Sequence, residues 1–336
     1  MGNAGNHKLS YSVIVPAYNE GKLIGACVRA LGAQSVARDT YEILVVDDAS
    51  VDGTAAIARA AGADRVLTIE HGGAAAARNA GVRAARGDLV LFTDADCAPH
   101  PRWIESIVAP FSDPAVTGVK GTYRTRQEGL VARLVQLEFE MRYERMATLL
   151  VIDFIDTYAA AYRRRVLVEE GGFATDYPVP SAEDVDLSFR LSQRGHRLVF
   201  APEAWVWHTH PASLYAYLRR KVRFGYWRAL LYLRYPGKIG GDAHTDPALR
   251  GQFGLVALAL AFGVGGVLWW PLWLGAGLCL TAFLLTTMSF VRWAWRRDRA
   301  VALVWPLVAL LRVVLQGVGL AVGLLVHRFA RTVQAR

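Results

Sequence analysis

From residue 252 to residue 291 the chain runs for 40 consecutive residues without Asp, Glu, Lys or Arg. About 20 apolar residues cross the hydrocarbon core of a bilayer. The run is therefore long enough for two crossings, and Pro271 marks the natural break. Residues 253–270 and 272–291 are the two expected spans. A third apolar block, residues 300–326, is interrupted by Arg312. A third crossing would put the Arg-bearing C-terminus on the face opposite "RWAWRRDR" (292–299), which the positive-inside rule disfavours. An interfacial helix followed by a re-entrant or short segment is the alternative. Residues 236–252 read as a linker before this membrane region of 253–336.

The charge follows the same division. The net charge is +9, and basic residues flank the apolar blocks in "RRKVRFGYWR" (219–228), "RWAWRRDR" and "HRFARTVQAR" (327–336). Basic residues interleaved with Trp and Tyr beside apolar spans suit a cytoplasmic membrane face. Because the charge tracks the spans, a nucleic-acid partner is not expected. The three cysteines, Cys27, Cys97 and Cys279, show neither metal-type spacing nor a disulfide framework, which suits a reducing compartment. The first residues read as no signal peptide, and Asn6 breaks the myristoylation pattern. The expected location is the inner (plasma) membrane, multi-pass, with the N-terminal part in the cytoplasm.

Residues 1–235 alternate strand and helix. "YSVIVPA" (11–17), "YEILVVDDAS" (41–50), "RVLTIE" (65–70) and "DLVLFTDAD" (88–96) read as strands. Helical spacing follows in 20–34, 52–62 and the Ala-rich 72–87. This predicts an α/β fold, a mostly parallel sheet with helices on both faces. Beyond residue 100, 116–125 reads as a strand. Residues 129–150 form a long helix expected to pack on the sheet with partial membrane contact. Residues 181–195 form a helix with Ser181 as N-cap and Gly195 as its stop, and "HRLVFAPEAWVWHTH" returns as strands. About 120–235 would form the acceptor side.

In such sheets ligands bind beyond the carboxyl ends of the strands, where Asp47, Asp48, Asp94 and Asp96 all fall. Carboxylates at a strand end suit Mg²⁺ or Mn²⁺, although two solvated turn aspartates would look the same. Asp47 and Asp48 suit turn chemistry with Ser50 and Asp52 equally well. Glu183, Asp184 and Asp186 open a helix, where the dipole tolerates acids, or one of them is a general base. His208 and His210 stand two apart on one face of a strand, either as ordinary strand-end histidines or with one as a metal ligand. Arg78 has a solvated helix face as its plain reading.

Taken together and in order, "SVIVPAYNE", "ILVVDDASVDGT", "GGAAAARNAGV", "DLVLFTDAD", "GGF" (171–173) and "EDVDLSFRLSQRGHRL" resemble the family 2 glycosyltransferases of GT-A fold. The resemblance spans roughly residues 10–230, about two thirds of the chain. It implies inverting sugar transfer from a nucleotide-diphosphate sugar, with UDP favoured over GDP. It places Pro16, Ala17, Tyr18 and Glu20 in the nucleotide pocket, Asp47 or Asp48 at the base, and Arg78 on the nucleotide side. Asp94 would face ribose and metal, with Ala95 and Glu183 also lining the donor site. Asp96 and His208 would bind Mn²⁺ or Mg²⁺, His210 being the competitor, and Asp184 would be the catalytic base. Arg219, Arg220, Lys221 and Arg223 are candidates to face the diphosphate, Arg220 and Arg223 foremost.

The Gln-x-x-Arg-Trp motif of processive synthases is missing; "KVRFGYW" is only a loose analogue. The spans and the aromatic–basic helix 214–235 suggest a membrane-bound acceptor, polyprenyl-linked or a glycolipid. A polysaccharide synthase subunit and a catalytically silent, membrane-tethered nucleotide-sugar binding module are the other readings.

Overall fold

A computed structural model of the chain describes residues 9–177, 182–243 and 245–334. In chain order the elements are β1 (Tyr11–Ala17), α1 (Ile24–Gly32), β2 (Tyr41–Asp47), α2 (Thr54–Ala60), β3 (Arg65–Thr68), α3 (Gly73–Ala84), β4 (Leu89–Phe92), β5 (Ala98–Pro99), α4 (Trp103–Val108), β6 (Val116–Arg124), α5 (Leu130–Met146), β7 (Ala160–Arg163), α6 (Arg164–Glu169), α7 (Glu183–Gln193), β8 (Arg197–Trp207), α8 (Leu214–Arg234), α9 (Ala248–Gly266), α10 (Leu272–Trp295) and α11 (Arg299–Gln334). The expected N-cap Ser181 lies outside the described residues; the helix itself begins after Ala182.

The chain divides into two compact units, Met1–Arg126 with Tyr143–Thr209, and Gln127–Arg142 with His210–Arg336. This differs from the division at residue 235 drawn from sequence. The reason is packing: α8 lies along α11, and the first part of α5 contributes Leu134, Val135 and Leu137 to the core of the apolar helices.

The first unit is built on one sheet of order β3-β2-β1-β4-β7-β6-β8-β5. The first four strands are parallel, as expected. The far half is mixed: β7 runs antiparallel to β4 and β6, β6 is parallel to β8, and β5 is antiparallel to β8. "YEILVVD" is buried along its whole length, as an inner strand covered on both faces should be. On α3, Gly81 lets the helix close on β1, since a Cβ there would run into the Ile14 side chain. Gly195 stops the α7 turn in the left-handed region, φ +81°.

Among the described residues of the second unit, three helices are long and apolar enough to cross a membrane. Their bounds correct the expected spans. The first helix ends at Gly266 and not at 270, since Val267 is its C-cap and Pro271 caps α10. The third block is continuous through Arg312. That arginine is buried, and its Nη1 donates to Glu138 Oε1 at 2.7 Å, so the charge is paired and need not break the helix. α8 and α11 approach backbone to backbone at Gly225, Gly319 and Gly323, where any Cβ would meet the partner helix's main chain. Leu258, Val264, Leu285 and Leu303 are exposed on these helices. Such contiguous apolar exposure suits lipid, not water.

Candidate active site

The site begins with two crossed loops at the carboxyl ends of β1 and β2. Asn19 sits in the left-handed region, which Asn tolerates, and its Oδ1 accepts from Val51 N at 2.9 Å. Ser50 Oγ accepts from Asn19 N, Thr54 Oγ1 from Glu20 N and Asp52 Oδ2 from Gly21 N. These bonds fix Pro16, Ala17, Tyr18 and Glu20 at the rim. Tyr18 is half-exposed, with its ring 4.4 Å from that of His71. Asp47 and Asp48 are buried in turn chemistry. Asp47 accepts from Ser50 N, and both Asp48 oxygens accept main-chain amides, Gly72 at 2.8 Å and Gly73 at 2.9 Å.

Arg78 is not on a solvated helix face. It is buried on α3, donating Nη1 to Glu183 Oε1 at 2.8 Å and Nη2 to Asp94 Oδ1 at 3.2 Å. One guanidinium therefore ties the loop after β4 to the start of α7. Burial disfavours its charge, but Asp94, Glu183 and Asp184 more than restore it. Beside it, Asn79 clasps the "GGF" loop, with Oδ1 accepting from Phe173 N and Nδ2 donating to Phe173 O, both at 2.8 Å. Gly172 adopts φ +70° there, and a Cβ would strike Asn79.

The turn after β4 carries the acids. Cys97 N donates to Asp94 O, and Ala95 is buried inside the turn. β5 then pairs Ala98 with Trp207 of β8, and His208 N donates to Arg124 O. That pairing sets His208 beside Asp96, Nδ1 to Oδ2 at 3.4 Å. The ring stacks on Tyr123 at 4.3 Å, and Tyr123 on Tyr158 at 3.3 Å. Burial opposes ionisation of Asp96, but the His208 hydrogen bond and charge outweigh it and leave its pKa lowered. Glu20 is raised by burial and by the negative charges of Asp96, Asp52 and Asp94. This crowd of oxygen ligands with an imidazole suits a divalent cation.

His210 does not share the His208 face. The strand ends at Trp207, and His210 turns into the second unit, buried with Nε2 2.9 Å from Gln136 Oε1. Arg220 and Arg223 are exposed on α8, also in the second unit. Lys221 is engaged with Glu138 at 3.3 Å.

The three acids opening α7 have separate partners. Glu183 takes Arg78, Asp186 accepts from Tyr177 OH at 3.1 Å, and Asp184 Oδ1 accepts only its neighbour's amide, Val185 N, among the bonds described. Burial, with Glu183 and Asp156 adding to it, holds Asp184 well above the usual carboxylate range against the pull of Arg78. A carboxylate so placed is a better proton acceptor near neutral pH. Asp156 in turn pairs with fully buried Lys120, whose Nζ also donates to Tyr158 OH at 3.1 Å. The sequence reading missed Asn79, Lys120 and Asp156. A lone lysine inside the apolar strand "VTGVKGTY" was the available signal, since a buried charge needs a partner.

Comparison with known proteins agrees with this architecture. The sequence model described as "Glycosyl transferase family 2" matches residues 12–171. The glycosyltransferase AglE of Haloferax volcanii is 32% identical over 221 residues, 62% of this chain and 69% of that protein. The pre-mycofactocin glycosyltransferase of Mycobacterium tuberculosis is 33% identical over 57% of this chain and 41% of its own length. In fold, the chain is similar to the mannosyltransferase PcManGT of Pyrobaculum calidifontis, solved with GDP-mannose and Mn²⁺. The TM-score is 0.65 at 23% identity, covering 91% of this chain and 88% of that one. The chain belongs to glycosyltransferase family 2 and is a glycosyltransferase of GT-A fold with apolar C-terminal helices.

Proposed function

We propose that the chain transfers a sugar, with inversion, from a nucleotide-diphosphate donor to a lipid-linked acceptor, using a divalent cation. The observation that carries this is the Arg78 bridge. It joins Asp94, on the acid turn beside Asp96 and His208, to Glu183, next to the raised Asp184. A cation at Asp96 and His208, Mn²⁺ or Mg²⁺, would neutralise charge on the departing diphosphate. Pro16, Ala17, Tyr18, Glu20, Asp47, Asp48, Asp94 and Ala95 form the rim proposed to receive the nucleotide, with Arg78 and Glu183 bracing it. Asp184 accepts the proton of the acceptor hydroxyl as its oxygen bonds to the anomeric carbon and the anomeric carbon–phosphate oxygen bond breaks. Arg220 and Arg223 are proposed to face the departing diphosphate.

The acceptor reading rests on the apolar helices, which suit a protein that meets its substrate at a bilayer. The mannosyltransferase solved with GDP-mannose and Mn²⁺ supports the donor class and the metal. A thermal-shift panel of UDP- and GDP-sugars, with and without Mn²⁺ or Mg²⁺, tests the reading. Ligand at a hundred times Kd stabilises by about 2.7 kcal/mol. One nucleotide class should raise Tm, and only with the cation. No shift with any donor under either cation would overturn the proposal.

A further inference from the structure

Cys97 stands between the two residues assigned to the cation, and that assignment gives it no task. Its thiol is buried, 3.6 Å from Asp96 Oδ1 and 3.8 Å from His208 Nδ1. The nitrogen is 3.4 Å from Asp96 Oδ2. The three ligand atoms of Asp96, Cys97 and His208 lie within 4.8 Å of one another. A tetrahedral ion with metal–sulfur about 2.3 Å and metal–nitrogen or –oxygen about 2.0–2.2 Å spaces its ligand atoms by about 3.3–3.6 Å. Sulfur and nitrogen each stand near that spacing from one another and from the carboxylate, the sulfur beside Oδ1 and the nitrogen beside Oδ2, so the three side chains converge on one point with small adjustments.

We propose that Cys97 is a third protein ligand of the cation, making the site an Asp–Cys–His set. This rests on the reading of Asp96 and His208 as its other ligands. The triangle is held by main chain that does not depend on an ion. Cys97 N donates to Asp94 O, the next residue pairs with β8, and His208 N donates to Arg124 O. On binding, the S–H that now points to Asp96 gives way to a metal–sulfur bond, and its proton leaves to solvent. Both carboxylate oxygens of Asp96 then face the ion.

The chemical consequence is selectivity. Mg²⁺ prefers oxygen in near-ideal octahedral geometry and dehydrates reluctantly. A thiolate and an imidazole turn the site away from it and toward softer ions. Among the two expected activators Mn²⁺ should therefore be favoured. Zn²⁺ and Cd²⁺ should bind more tightly still and compete with it.

The test uses the full-length protein and Cd²⁺ alone as probe, followed by ultraviolet sulfur-to-metal charge-transfer absorption, with Mn²⁺ binding followed in parallel by electron paramagnetic resonance. The wild type should show the band. Cys97→Ser and Cys97→Ala should lose it and weaken Cd²⁺ by at least the roughly 10–100-fold that even an outer-shell partner is worth. Mn²⁺ should lose less. Cys27→Ser and Cys279→Ser should keep the band, and Asp96→Asn and His208→Ala should weaken Cd²⁺ and Mn²⁺ together. Two separate Cys97 variants, each checked by circular dichroism, guard against misfolding. A band that survives in both Cys97 variants, or that needs Cys97 but neither Asp96 nor His208, overturns the proposal. Mn²⁺ binding without any thiolate band overturns the Cys97 assignment alone. Failure to bind either ion overturns the cation reading and this inference with it.

Discussion

Arg78 and Arg312 are the same device in two regions. Each is buried on a helix made mostly of small or apolar residues, and each is closed by a glutamate, Glu183 at 2.8 Å and Glu138 at 2.7 Å. The difference lies in what else the pair touches. Arg78 also holds Asp94 and acts electrostatically on Asp184. Arg312 and Glu138 are joined by Tyr217, Lys221 and Gln252, all from helices that share one apolar core. A buried ion pair is weak evidence for either stability or function. Its further partners decide which.

The largest effect should come from breaking the first pair. Arg78→Met leaves Glu183 buried without its cation, which costs on the order of 3–5 kcal/mol, and should also abolish measurable transfer. Arg312→Met should cost a similar amount of stability, read as Tm, yet leave the donor Kd of the folded protein unchanged. The combined replacements sharpen the contrast. Arg312→Met with Glu138→Leu and Lys221→Met should recover much of the loss, because apolar side chains of similar volume replace the whole charged cluster that had to be desolvated, a swap that is often neutral or stabilising by about 1–4 kcal/mol. Arg78→Met with Glu183→Leu should recover Tm but not transfer. If transfer returns with Tm, Arg78 is only a structural residue.

The smallest effect is on the pH profile. Asp184 must be ionised to accept a proton, so kcat should rise with pH along an acidic limb placed above the ordinary carboxylate range near about 4. Glu183 raises this carboxyl and Arg78 lowers it. Glu183→Gln should therefore move the limb down, and residual activity in Arg78→Lys should show it moved no lower. Arg312→Met should leave it in place. The same raised carboxyl costs folded stability as pH rises through its folded pKa, because the unfolded chain ionises it more readily.

Much of this was legible in the sequence, and the reasons for the gaps are physical. The strand ending in "VVDD" runs to Asp47 and the helix opening in "EDVD" begins at Glu183, much as local pattern places them, whereas the strand expected to reach Asp96 stops at Phe92 and leaves its acids in the following turn. Arg312 read as an interruption because its partner is 174 residues away, and no local rule reveals that pairing. His208 and His210 looked equivalent because a spacing of two assumes that the strand continues; it stops at Trp207. Cys97 showed no metal spacing because its neighbours in space come from positions 96 and 208, joined only through the β5–β8 pairing.

The most direct measurement is sugar transfer by Asp184→Asn, with labelled donor, Mn²⁺ and a membrane lipid extract as acceptor. The wild type should place label in the organic phase as a one-sugar product, not a ladder. The variant should lose on the order of 10²–10⁴ in kcat, the range of a general base, while keeping the cation-dependent thermal shift with donor. Transfer that survives unaltered in Asp184→Asn, or label that enters only water-soluble products, would contradict the account.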